Sequence, residues 1–218
     1  MVDGIQLKVC GLTSAADAAA AAAAGADFLG FITYPKSPRF LPVPQFRALA
    51  SGLPPRPWVG VAVEPTADAL RELRDAGFAK FQVHFRHDLP YATVEAWAAA
   101  VGAEHLWLAP KLPPVIDVAP EWKALAGTLL LDSFDAKLFG GTGRIGDWGK
   151  FRRHRESAPD KTWILSGGLN AANVGQAIRQ TGARFIDVNS GIESAPGIKD
   201  PEKLAALVAA LRTVSARL

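Results

Sequence analysis

Phe185-Ile186-Asp187-Val188-Asn189-Ser190-Gly191-Ile192-Glu193 is the last strand-sized stretch before the C-terminal helical pattern, and Trp163-Ile164-Leu165-Ser166-Gly167-Gly168-Leu169-Asn170 is its twin upstream. Each is an apolar, β-branched run that ends in small residues and opens into a helical pattern. Strand, Gly-rich turn and helix N-terminus in that order build a phosphate cradle, because bare backbone N–H groups and the positive end of a helix dipole point at the anion. Two such turns in succession, at the end of a series of strand–helix units, predict the phosphate site of a (β/α)₈ barrel, formed after strands seven and eight.

The rest of the chain supports that reading. Gln6 to Cys10 reads as the first strand, Phe28 to Ile32 as the second, Trp58 to Val63 as the third and Phe81 to Phe85 as the fourth. His105 to Ala109, then Thr128 to Ser133, complete six strands before the two cradle units. Thr13 or Ser14 caps the first helix, which stops at Gly25, and Pro65-Thr66 opens the third, which ends at Gly77. The connection from Pro113 to Lys123 is poor in helix signal. Short buried strands separated by helices imply an all-parallel sheet, and eight right-handed units permit closure. The alternative, an open doubly wound sheet, carries its Gly-rich turn after the first strand. Here that turn is Cys10-Gly11-Leu12-Thr13. The expected architecture is therefore one α/β domain over residues 1–218, a single (β/α)₈ TIM barrel.

Composition narrows the function. With 49% hydrophobic and 21% charged residues the chain reads as a soluble globular protein. No stretch has the length or hydropathy of a membrane span, and Met1-Val2-Asp3-Gly4-Ile5 runs into a strand without a signal-peptide pattern, so a cytoplasmic protein with no membrane partner is expected. A formal charge of +3 is too small to argue for nucleic acid but suits a small anionic substrate. One cysteine excludes an internal disulfide, and the four histidines lack metal-site spacing.

In a barrel the chemistry gathers at the C-terminal strand ends. That places Cys10 after strand one, Arg39 after strand two, His84 near the end of strand four, Lys111 after strand five and Asp132 at the end of strand six, around a cradle of Gly167, Gly168, Ser190 and Gly191. A thiolate accepts a proton from carbon if its pKa falls from about 8.5. A carboxylic acid protonates a leaving oxygen if its pKa is raised, and Arg grips a carboxylate with two hydrogen bonds. No metal or redox cofactor is called for, and the set fits a proton-shuttling isomerisation of a sugar phosphate. Each piece also has a plainer reading. Cys10 is then core filler, Asp132 a turn cap, Arg39 a surface ion pair and His84 a satisfied strand-end histidine.

Taken in order, Lys8-Val9-Cys10-Gly11-Leu12-Thr13, Tyr34-Pro35-Lys36-Ser37-Pro38-Arg39, Leu130-Leu131-Asp132-Ser133, Gly140-Gly141-Thr142-Gly143, Asp147-Trp148, the two cradle motifs and Ser194-Ala195-Pro196-Gly197-Ile198-Lys199-Asp200 span nearly the whole chain. This ordered set resembles the phosphoribosylanthranilate isomerase family of tryptophan biosynthesis. The resemblance implies an Amadori rearrangement with Cys10 as general base, Asp132 as general acid and Arg39 on the anthranilate carboxylate. It implies substrate contacts at His84, Gly141, Gly167, Gly168, Ser190 and Gly191, and either a monomer or a homodimer. The sequence departs from the family pattern at Glu64 (usually Asn), Phe85 (usually Gly), Arg144 (usually Lys) and Asn189 (usually Ser). The alternatives are a related phosphate barrel acting on another sugar phosphate, such as indole-glycerol-phosphate synthase or the aminoimidazole isomerase of histidine synthesis, and a non-catalytic sugar-phosphate-binding regulator.

Overall fold

The computed structural model describes residues 1–132 and 146–215. Eight parallel strands alternate with eight helices in chain order: β1 (Gln6–Val9), α1 (Ala15–Ala23), β2 (Phe28–Ile32), α2 (Val43–Ala50), β3 (Trp58–Val63), α3 (Ala67–Asp75), β4 (Lys80–Arg86), α4 (Tyr91–Val101), β5 (Leu106–Lys111), α5 (Pro120–Leu125), β6 (Thr128–Leu131), α6 (Trp148–Ser157), β7 (Thr162–Leu165), α7 (Val174–Thr181), β8 (Phe185–Val188) and α8 (Pro201–Ser215). A 3₁₀ turn (Ser190–Ile192) and a small hairpin of β9 (Glu193–Ala195) and β10 (Ile198–Lys199) sit between β8 and α8. Neighbouring strands pair around a closed barrel, and β1 meets β8 in the register Gln6–Phe185, Leu7–Ile186, Lys8–Asp187 and Val9–Val188. The barrel expected from the sequence is the fold observed.

Local chemistry sets most boundaries. Ser14 Oγ accepts from Asp17 N at 3.1 Å and Thr66 Oγ1 from Ala69 N at 3.1 Å, so the expected caps start α1 and α3. Gly25 and Gly77, both at φ +99°, follow the ends of α1 and α3 with a backbone that only glycine adopts without strain. The weak helix signal after β5 yields a helix of only six residues.

The closed sheet divides two cores. Inside the barrel, Phe28, Trp107 and Phe185 form an aromatic plug with ring centroids 5.0–5.5 Å apart, backed by Val59, Leu130 and Ile164. Outside it, aromatic side chains fill the space between strands and helices: Phe46 stacks on Phe78 at 4.0 Å and meets Phe31 edge-on at 5.0 Å.

One expectation changes. The cradle turns do not open directly into long helices. After β7 the helix begins only at Val174, and after β8 the chain makes a 3₁₀ turn and a hairpin before α8 begins at Pro201. Phe85 lies in β4, which runs one residue further, to Arg86, and the fully buried ring packs edge-on against Trp97 at 5.4 Å and Trp122 at 5.1 Å. Where the family pattern has glycine, this chain fills a gap between the barrel and α4 and α5. Phe85→Ala is expected to cost about 3–5 kcal/mol, read as a lower urea midpoint with an unchanged slope.

Candidate functional site

Alternation along β1 sends Lys8 and Cys10 to the same side, into the barrel. Cys10 is 3% exposed, and its backbone N–H donates to the Val188 carbonyl at 2.8 Å, which extends the β1–β8 ladder to the thiol. Lys8 is fully buried and donates from Nζ to Asp187 Oδ1 at 2.8 Å. Its positive charge also acts on the Cys10 sulfur, favouring the thiolate. Burial pushes the Cys10 thiol up against the pull of Lys8. Burial alone would lower the Lys8 ammonium, but Asp187 and Cys10 together hold it above its ordinary value, so it stays cationic. Across the barrel, burial and the Lys8 charge lower His84 to about 3. His84 is thus neutral at physiological pH, and its Nε2 accepts from Gln82 Nε2 at 2.8 Å.

Asp132 follows the last residue of β6 and lines two adjoining cavities. The larger lies against Pro110, Leu112, Leu131, Phe151 and Leu165. The smaller is ringed by Gly167, Gly168, Asp187, Asn189, Ser190 and Gly191. Asp132 and Ser166 belong to both.

The second cavity is the cradle read from the sequence. Gly167 (φ +98°) and Gly168 (φ +61°) make the left-handed turn after β7. Asn173 fixes that turn by accepting from Asn170 N and donating to the Gly168 carbonyl, both at 2.9 Å. Gly191 has an ordinary φ, but a Cβ there would lie 1.9 Å from the Leu169 carbonyl oxygen. Only glycine lets the β8 turn approach the β7 turn this closely. Gly191 and Ser190 begin the 3₁₀ turn, whose early N–H groups are not committed to regular helix bonds.

On the β1–β2 side, Arg39 is 6% exposed and held by Glu193. Nε donates to Oε1 and Oε2 at 2.9 and 3.1 Å, and Nη2 to Oε2 at 2.6 Å. Glu193 also accepts from Lys199 Nζ at 2.7 Å and from Gly197 N at 3.2 Å. Burial alone would raise the Glu193 carboxyl, but Arg39 and Lys199 hold it below the usual range. Lys199 Nζ reaches on to Asn189 Oδ1 at 2.9 Å, and a Cβ on Gly11 would strike that oxygen and Arg39 Cδ at 2.5 and 2.6 Å. Asn189 lines the cradle, and its side-chain oxygen is held by Lys199. Among the described residues Arg39 Nη1 makes no hydrogen bond, so one edge of the guanidinium is left to take a carboxylate.

Cys10, Arg39, His84, Asp132, Gly167, Gly168, Ser190 and Gly191 thus gather at one end of the barrel, while Gly141 lies outside the described residues. Glu64 follows the last residue of β3. It takes a left-handed backbone (φ +43°), which the usual asparagine adopts more readily, and its carboxylate accepts from Arg86 N at 3.0 Å. Lys111 follows Pro110, which lines the larger cavity. Sequence reasoning passed over Lys8, Asp187, Glu193 and Lys199 as functional groups. For the first two a signal existed: a charge at an inward position of a buried parallel strand needs a partner. Among the described residues no group of three or more His, Cys, Asp or Glu is placed to hold a metal.

Comparison with known proteins places this arrangement. Residues 7–210 match the family model described as N-(5′-phosphoribosyl)anthranilate (PRA) isomerase. A protein named N-(5′-phosphoribosyl)anthranilate isomerase from Syntrophus aciditrophicus is 40% identical, over 95% of this chain and 87% of its own length. The crystal structure of phosphoribosyl anthranilate isomerase from Thermus thermophilus superposes with a TM-score of 0.78 at 30% identity, covering 96% of this chain and all of that one. A further phosphoribosyl anthranilate isomerase, solved in complex with reduced 1-(o-carboxyphenylamino)-1-deoxyribulose 5-phosphate, gives 0.73 at 26% identity, covering 96% of this chain and 99% of that one. With its family model matched over nearly the full barrel, this chain belongs to the N-(5′-phosphoribosyl)anthranilate isomerase family.

Proposed function

We propose that the protein converts N-(5′-phosphoribosyl)anthranilate to 1-(o-carboxyphenylamino)-1-deoxyribulose 5-phosphate in tryptophan biosynthesis, with Asp132 as general acid and Cys10 as general base. The observation that carries the reading is the position of Asp132, shared by the glycine cradle and the larger, mostly apolar cavity. A substrate with phosphate in the cradle presents its sugar to that carboxyl. The relative that holds the reduced product in its crystal supports the substrate assignment.

The chemistry runs in balanced proton transfers. Asp132 gives its proton to the furanose ring oxygen, the C1–O bond breaks, and the anilino nitrogen lone pair forms a Schiff base with C1. Cys10, as thiolate, removes the C2 proton, and the electron pair neutralises the iminium to give an enolamine. Tautomerisation returns the ketone. Backbone N–H groups at Gly168, Ser190 and Gly191 hold the phosphate, with Gly167 shaping the turn that presents them. Arg39 takes the anthranilate carboxylate with its Nη1 edge, at the angle that Glu193 fixes. His84 serves as a neutral hydrogen-bonding wall, since its imidazole is uncharged above about 3. Anchoring both anionic ends places C1 and C2 between acid and base without further ordering at the moment of reaction. Gly141 is assigned a substrate contact on the resemblance of its Gly-rich motif.

Loss of the fluorescent substrate measures turnover. Cys10→Ala and Asp132→Asn are each expected to lower kcat by roughly 10²–10⁴-fold while the protein stays folded. Full activity in either variant removes that residue from the mechanism. Restored growth of a tryptophan auxotroph by the wild-type chain, but not by Cys10→Ala, checks the reaction in the cell.

Gly191→Ala tests the cradle separately. The added methyl must displace the Leu169 carbonyl that it would otherwise overlap. KM is expected to rise at least about tenfold, the loss of one charge-assisted hydrogen bond, and weaker inhibition by inorganic phosphate should accompany it.

A further inference from the structure

Lys8 is a costly residue to place where it stands. Its ammonium is fully buried above the aromatic plug of Phe28, Trp107 and Phe185. Removing such an ion from water costs several kcal/mol unless its protons are well bound. Asp187, its register partner on β8, accepts one of them at 2.8 Å. The ammonium has three, and the Cys10 sulfur, two residues along the same strand, borders the same space. β2 makes room for both groups. A Cβ on Gly30 would lie 2.9 Å from Lys8 Cε, 3.0 Å from Lys8 Nζ and 3.0 Å from Cys10 Sγ. The missing side chain opens one shared space for the nitrogen and the sulfur, at a mid-strand position where glycine is otherwise unfavourable.

We propose that Lys8, oriented by Asp187 in the space left by Gly30, is the positioning residue that holds Cys10 as an ammonium-paired thiolate aimed at the substrate. The proposal rests on Cys10 being the base. On ionisation the thiol proton passes to solvent, and the S⁻ that remains is bound by a Lys8 N–H. It later takes the C2 proton of the substrate. The charged groups acting on the sulfur are Lys8 from its own strand, Asp187 from β8 and Lys199 from β10, two cations against one anion. β4 contributes His84, which is neutral, and β2 contributes Gly30 and the apolar Phe28 and Ile32. Asp187 also lines the phosphate cavity. Lys8 therefore cancels a carboxylate that would repel the phosphate, as well as stabilising the thiolate.

A buried ion pair with a merely structural role predicts the same response whichever partner is removed. The electrostatic role predicts opposite ones. Cys10 is the single cysteine of the chain, so thiolate absorbance in the ultraviolet, measured against a Cys10→Ala blank on substrate-free protein, titrates that one group. Lys8→Met is expected to raise the thiol pKa by about 1–3 units, and Asp187→Asn to lower it. The acid limb of kcat/KM should move in the same directions. Lys8→Met/Asp187→Asn leaves no unbalanced buried charge, so it serves if the single variant does not fold. Its thiol should still titrate above wild type, because the ammonium acts on the sulfur more strongly than the carboxylate does. Unchanged titration in whichever Lys8 variant folds, or shifts of Lys8→Met and Asp187→Asn in the same direction, overturns the role of Lys8. Full activity of Cys10→Ala would instead overturn the assignment of the base, whatever the titration gives.

Discussion

The ladder between β1 and β8 is the contact on which the site depends. Four residue pairs join the first strand to the last, and the bond from Cys10 N to Val188 O continues them by one step. In an open sheet these strands would be edges, with unpaired N–H and C=O groups. Closure pairs them and, in the same act, sets Lys8 beside Asp187 across 179 residues of sequence. A one-residue slip in this register would turn every side chain on β1 to the other face. Lys8 and Cys10 would then face the helices, and Leu7 and Val9 the barrel. The chemistry and the fold therefore share one hydrogen-bonded seam.

Around that seam the polar groups divide into two sets of different character. Lys8 and Asp187 lie deep, with a neutral His84 opposite, so that a cation is kept next to a thiol in an otherwise apolar space. Glu193 gathers Arg39, Lys199 and the Gly197 N–H at the rim. The small hairpin after β8 makes this second set possible, because it turns Glu193 and Lys199 back over the β1–β2 loops. Thr13 adds to the closure by donating to the Gly197 carbonyl at 2.7 Å. Arg39 is thereby fixed by the far end of the chain, although it stands in the loop after β2.

The departures from the family pattern acquire separate physical explanations. Phe85 belongs to the layer between sheet and helices and fills it. Glu64 takes over a left-handed position and binds the backbone of Arg86. Asn189 sits at the crowded crossing of Gly11, Arg39 and Lys199, where its amide oxygen serves as an acceptor. None of the three replaces a group that the proposed proton transfers require. Arg144 lies outside the described residues.

By itself the sequence determined the order and kind of the elements. Apolar β-branched runs, caps at Ser14 and Thr66 and glycines after helices are local signals, acting over a few residues. It also determined which residues lie at strand ends, and hence that Cys10, Asp132 and the glycine turns share one face of a barrel. Helix starts in the cradle region were less legible. Asn170 and Asn173 bind backbone in the turn and α7 begins only at Val174, whereas an asparagine at such a position reads equally well as a helix cap. Only the tertiary structure decided that Gly191 must be glycine because of Leu169, that Gly30 must be glycine because of Lys8 and Cys10, and that Arg39 answers to Glu193. Each is a contact between segments distant in sequence. Steric exclusion and ion pairing act through space, and no local pattern of residues encodes which distant atoms will meet.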